Sequence, residues 1–185
     1  MTFPFAIETC PETPETGDRR IPPRDHVVIR ALMERWHREC PDKVFVKFAD
    51  NGEEWTYAQF REMVVGAAVG LQQLGVRQGE HVLVWLPNSR ENLLSFFAIA
   101  YLGAVYVSIN TAYKGGLLAH VVDNSDARLA IVHSDLAPRL AEIDRARLTD
   151  AVMVGQRVPC PGLKTHHFED ALKPKSGTLH ALERV

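Results

Sequence analysis

No charge of either sign dominates this chain of 185 residues: 21 Lys and Arg stand against 23 Asp and Glu, a net charge of −2. A protein that grips nucleic-acid phosphates needs a basic excess, so that class is excluded. Cysteine is scarce and odd in number, at Cys10, Cys40 and Cys160. An oxidised scaffold carries a denser, even set, so the sequence points to a reducing, cytoplasmic setting. The start, Met1-Thr2-Phe3-Pro4-Phe5, lacks the basic and apolar regions of a signal peptide. Long hydrophobic runs are missing as well. Leu93 to Leu102 is the most apolar, is broken by Ser95, and falls well short of the roughly 20 residues that span a bilayer. It reads as a helix buried in protein, and no transmembrane segment is expected.

The usual signatures of site chemistry are also absent. There is no Gly-x-Gly-x-x-Gly after a strand, no P-loop, no Cys-x-x-Cys and no His-Glu-x-x-His. Ser176-Gly177-Thr178 has a scrap of phosphate-loop composition, but no strand leads into it and no lysine follows, so it reads as a surface turn. The eight histidines do not fall at metal-ligand spacing; adjacent His166 and His167 would point to opposite faces of a strand. Cys160, between two prolines, reads as a loop thiol rather than a nucleophile. Neither a metal site nor a catalytic constellation is expected.

What is present is a folded domain, or a large piece of one. Hydrophobic residues make up 46% and charged residues 24%, which excludes global disorder. Residues 1–24, rich in proline and glutamate, read as a loose tail. A helix is expected from an Asp25 cap through Val28, Leu32 and Trp36 to Cys40-Pro41. Val44 to Phe48 and Glu54-Trp55 read as a hairpin turned by Asn51-Gly52. Thr56 and Gln59 write a capping box, Trp55 and Phe60 a hydrophobic staple, and Gly75 a helix stop; Gly66 and Gly70 weaken that helix and imply close packing.

From there strands and helices alternate. Strands are expected at His81–Leu86, Ala104–Ile109, Arg128–His133 and Ala151–Val154, with helices at Glu91–Leu102 (capped by Asn88), near Leu117–Asp123 and at Leu136–Arg145. That alternation predicts an α/β fold: a parallel sheet with βαβ crossovers and helices on both faces, over residues 25–158. Residues 159–185 read as a connecting segment. Such sheets bind ligands beyond the strand C-terminal ends, which nominates Asn88, Ser89, Asn110 and Thr111 as substrate-binding residues. The alternative is local: Asn88 caps a helix and Asn110 closes a turn. His133, ending a strand, could face a ligand or be a satisfied edge residue.

Five segments, in order, resemble the N-terminal part of AMP-forming acyl-CoA synthetases and other adenylate-forming enzymes. Trp55-Thr56-Tyr57-Ala58-Gln59-Phe60 is similar to the family's Leu/Trp-Thr-Tyr-x-Glu-Leu. Gly75 to Val82 resembles Gly-Val-x-x-Gly-Asp-x-Val, and Leu86-Pro87-Asn88-Ser89-Arg90-Glu91 resembles Leu-Pro-Asn-Ser-x-Glu. Leu102 to Asn110 is similar to Ala-Gly-Ala-x-x-Val-Pro-Ile-Asn, with Ser108 at the usual proline. Asp123 to Arg128 resembles Asp-Ser-x-Ala-Lys. Asn110 to Gly115 looks most like the acyl-CoA ligase branch, including crotonobetaine/carnitine-CoA ligases; Gly116 stands where glutamate is common.

The resemblance implies a complete enzyme that uses ATP, Mg²⁺ and CoA to convert a small carboxylic acid, through an acyl-adenylate, to a thioester. The family's phosphate loop, ribose-binding acid and C-terminal lysine do not occur in these 185 residues. The chain is therefore expected to hold no catalytic residue and no cofactor, to be inactive alone, and to partner the remaining lobe and C-terminal domain of a ligase. A free-standing binding module, or half of a split ligase, is the alternative.

Overall fold

Thr56 Oγ1 accepts a hydrogen bond from Gln59 N (3.3 Å), and Gln59 Oε1 accepts one from Thr56 N (2.9 Å). The capping box thus starts helix α2 (Tyr57–Gln73) in the computed structural model, which describes residues 5–7, 27–145, 147–173 and 176–182. The Trp55 and Phe60 rings stack 5.8 Å apart as the staple. Gly75, at φ +87°, closes the helix: its N–H donates to Gln72 O, and Val76 N–H donates to Leu71 O. Before α2 come β1 (Phe5–Ile7), α1 (Ile29–Glu39) and the antiparallel hairpin β2 (Val44–Lys47) and β3 (Glu54–Thr56).

The central sheet holds β4 (His81–Trp85), β5 (Val105–Ser108), β6 (Leu129–His133), β7 (Asp150–Val154) and β8 (Lys164–His167). All are parallel, in the order β5-β4-β6-β7-β8. Crossovers run through α3 (Arg90–Leu102), α4 (Gly115–Asn124) and α5 (Ala137–Ala141). Alternation splits the strand side chains between two cores. Val82, Val84, Ile131 and Val152 pack with α2 and α3; Leu83, Trp85, Val132 and Met153 pack with α4 and α5. This is the expected doubly covered parallel sheet.

Two polar networks tie the layers together. Arg61 donates to both oxygens of Glu34 (2.7 and 3.1 Å), joining α2 to α1, and the buried Tyr101 hydroxyl of α3 donates to the same carboxylate. Burial pushes the Glu34 carboxyl up, but the Arg61 and Tyr101 bonds hold it below the usual carboxylate range. Burial, then Glu34, pushes the Tyr101 phenol up. Below the sheet, Asp150 accepts from Arg128 (2.9 Å) and Thr149 (2.7 Å) and lies 2.9 Å from His166 Nε2. Burial raises its pKa too, and these partners overcome that rise.

Several expectations need correction. Helix α1 begins at Ile29 behind Val28, which makes no side-chain cap; Asp25 lies outside the described residues. The cap of α3 is Ser89, whose hydroxyl accepts from Asn92 N (3.2 Å), not Asn88. Both residues are competent caps, and the extended backbone of Ser89 decides between them. Helix α5 has five residues, Ala137–Ala141, of which Ala137 and Leu140 are buried, and stops short of the expected Arg145.

The segment beyond 159, expected as connection, supplies β8, α6 (Phe168–Ala171) and β9 (Gly177–Leu179). Lys164-Thr165-His166-His167 lacks apolar alternation, and a sheet edge does not need it; the His166 contact with Asp150 helps hold it there. Ser176-Gly177-Thr178 is no surface turn but the lead into β9, whose parallel partner is Phe5–Ile7 from the presumed loose tail. The rest of that tail lies outside the described residues. Cys160 is buried, and burial pushes its thiol up, which makes it an inert core group.

Candidate functional site

The strand order decides where a ligand crevice can lie. From β4 the chain moves one way to β5 through α3, then back across β4 to β6 through α4 and on to β7. Loops leaving β4 and β6 therefore head to opposite faces and part at their C-terminal ends, the switch point of an open α/β sheet. The end of β4 is Leu86 to Ser89, and the neighbouring end of β5 is Ile109 to Thr111.

On β5, the local reading of Asn110 is realised. Its side-chain Oδ1 accepts from Ala112 N (2.9 Å), and its carbonyl accepts from Tyr113 N (3.1 Å) and from Nε1 of the buried Trp85 (3.0 Å). Arg139 of α5 donates to Thr111 O (2.8 Å), with its guanidinium 6.0 Å from the Trp85 ring centre. Asn110 and Thr111 are thus locked to two neighbouring elements, and the outward part of Asn110 remains exposed.

On β4, Asn88 is exposed while Ser89 is engaged as the α3 cap. These two residues line an open cavity of about 320 Å³ together with Asn92, Leu93, Phe96 and Tyr106. The Tyr106 hydroxyl donates to Asn92 Oδ1 (2.7 Å), and burial pushes the phenol up. The cavity gathers Asn88 and Ser89 but neither Asn110 nor Thr111, so the four nominated residues do not form one cluster. Its lining carries no formal charge and combines amide and hydroxyl groups with apolar surface.

The switch point adds the end of β6. His133 Nδ1 accepts from Asp135 N (3.3 Å), and Ser134 Oγ accepts from Gln156 N (3.1 Å) beyond β7. His133 is the residue that sequence reasoning weighed and left out; the signal that places it at the crevice is strand order, which periodicity does not contain. Among the described residues no three Asp, Glu, His or Cys side chains converge to hold a metal ion. Nor is any helix of the described residues long and apolar enough to cross a membrane.

Comparison with known proteins follows the same lines. A family model described as AMP-binding enzyme matches residues 33–179. The 4-coumarate–CoA ligase 4 of Arabidopsis thaliana is 32% identical over 122 residues, covering 58% of this chain and 21% of the relative. A crotonobetaine/carnitine–CoA ligase of Salmonella typhi is 27% identical over 129 residues, 68% of this chain and 25% of the relative. The solved anthranilate CoA ligase AuaEII, in complex with anthranoyl-AMP, superimposes with a TM-score of 0.68 at 29% identity, covering 80% of this chain and 28% of that one. The chain spans about a fifth to a quarter of the length of the curated relatives it matches.

Proposed function

Because this chain belongs to the AMP-binding enzyme family, we propose that it is the amino-terminal portion of an AMP-forming acyl-CoA ligase that works in the cytoplasm. The complete enzyme joins a carboxylic acid to ATP, releasing pyrophosphate, and passes the acyl group from the adenylate to the thiol of CoA, releasing AMP. The observation that carries this reading is the family match over residues 33–179, which takes in all five motif segments and the whole central sheet. Acyl-CoA ligases recur among the relatives, which supports the branch.

In that enzyme the present residues act as scaffold. The capped helices α2 and α3, with the Trp85–Asn110 and Arg139–Thr111 bonds, hold the strand ends in place, and Asn88 and Ser89 at the end of β4 and Asn110 and Thr111 at the end of β5 are offered to substrate as two separate contacts. Nucleotide, metal ion and CoA are assigned to the remaining polypeptide, because the phosphate loop, ribose-binding acid and C-terminal lysine of the resembled family do not occur in these 185 residues.

Two measurements test the reading. Calorimetric titration of the 185-residue chain with ATP and Mg²⁺ is expected to give no saturable heat; a tight isotherm would sink the division of labour. The longer polypeptide, read through the codons after Val185, is expected to release AMP and pyrophosphate in step with thioester formed. Failure to do so with a broad panel of carboxylic acids overturns the ligase assignment.

A further inference from the structure

The central sheet ends differently on its two sides. One edge, β8, opens with the exposed Lys164, a charge that discourages further pairing. The other edge, β5, is Val105-Tyr106-Val107-Ser108, and among the described residues no strand lies beyond it. Apart from its brevity it has none of the usual guards: no charge, no proline and no register shift against β4. Val105 is 41% exposed. The absence of charge extends well past the strand. Every residue from Asn92 to Tyr113 is uncharged, in a chain where charged residues make up 24%. That run takes in α3 beyond Glu91. On it Phe96, 39% exposed, lies edge-on to Tyr106 with ring centres 5.3 Å apart.

Backbone direction decides what this edge can bind. Val105 N–H donates to Glu80 O (2.8 Å) and Ile109 N–H to Val84 O (3.0 Å), so the odd-numbered residues bond to β4. Tyr106 and Ser108 therefore turn outward, each offering a donor and an acceptor. Ser108 stands where the resembled motif has proline, and it keeps an N–H that proline lacks. An antiparallel copy of the same strand, related by a two-fold axis at Val107, matches this row. Tyr106 meets Ser108 of the partner subunit in a doubly hydrogen-bonded pair, and Ser108 meets Tyr106 of the partner subunit in another. Between them Val107 packs against Val107 of the partner subunit, a close pair of β-branched side chains. The uncharged run sets no like charges face to face across that axis. We propose that β5 is a self-pairing edge, through which two copies of this chain join their five-stranded sheets into one.

The contact is short, so the dimer is weak, with a Kd of about 0.1 mM. In sedimentation equilibrium of the 185-residue chain, the average mass is expected to climb toward twice the monomer's between about 0.01 and about 1 mM. Amide exchange read by NMR is expected to slow about fourfold over that range at Tyr106 and Ser108, and to stay constant at Val107, whose N–H already faces β4. Ser108→Pro removes an outward donor without touching the bonds to β4. It is expected to weaken the dimer at least about tenfold and to leave the thermal midpoint of the dilute chain unchanged, whereas Ser108→Ala keeps the donor and the dimer. Val105→Lys, which places a charge on the edge, is expected to weaken the dimer as well, and decides the matter if Ser108→Pro fails to fold. A monomer at every concentration overturns the proposal, and so does a folded Ser108→Pro variant that pairs as tightly as the wild type. Protection of Tyr106 and Ser108 that does not change with concentration overturns it too, because the chain itself then covers the edge.

Discussion

Gly70 has no room for a methyl group. A Cβ there would sit 2.0 Å from the Ala171 carbonyl oxygen, where α6 crosses α2. Alanine would gain about 1 kcal/mol of helix propensity and lose more to overpacking. Gly70→Ala is therefore expected to lower stability by roughly 2 kcal/mol, read as a drop in thermal midpoint of several degrees. Thr56→Ala, which leaves Gln59 N–H without its side-chain acceptor, is expected to cost about 1 kcal/mol in the same melt. At this scale the sequence was largely legible. Thr56, Gln59 and Gly75 announce their roles because their partners lie within a few residues. Gly70 announced close packing but not its neighbour, about a hundred residues away. Asn88 and Ser89 show the limit: two adjacent residues could cap α3, and only backbone geometry chooses.

Helices α1, α2 and α3 meet at the carboxylate of Glu34, held by Arg61 and Tyr101. Glu34→Gln removes the carboxylate charge that holds the buried Arg61 and is expected to cost about 3 kcal/mol by chemical denaturation. Glu34 and Asp150 are both held below the usual carboxylate range, so folding favours their charged forms. The stability they contribute is complete above their ordinary values of 4.5 and 3.8, and is lost as pH falls below these through the folded values. Melting midpoints are expected to fall steeply over that acid range, and the fall is expected to be shallower in Glu34→Gln. A midpoint flat down to pH of about 3 would contradict this account. Elements with apolar periodicity, β4 to β7 and α2 to α4, were readable from sequence. Strand β8 was not, because an edge strand of Lys-Thr-His-His is held partly by contact with Asp150, whose position depends on the whole sheet. The candidate site was legible only as strand ends, since which ends adjoin follows from strand order.

Over the whole molecule, the order β5-β4-β6-β7-β8 sets the crevice, and the pairing of β1 with β9 joins the two ends of the described chain. Strand β9 also leans on α2, where Gln72 accepts from His180 N (3.0 Å) and donates to Thr178 O (2.8 Å). Removing residues 1–7 is expected to speed hydrogen exchange at Gly177–Leu179 about tenfold while leaving the central sheet unchanged, as peptide-resolved exchange would show. The same pairing has a consequence for synthesis. Phe5 leaves the ribosome about 170 residues ahead of Gly177, roughly ten to thirty seconds at ordinary elongation rates. For that interval the first strand has no partner, while β4, β6 and β7 can already align behind it. The earliest residues made are among the last to find their place.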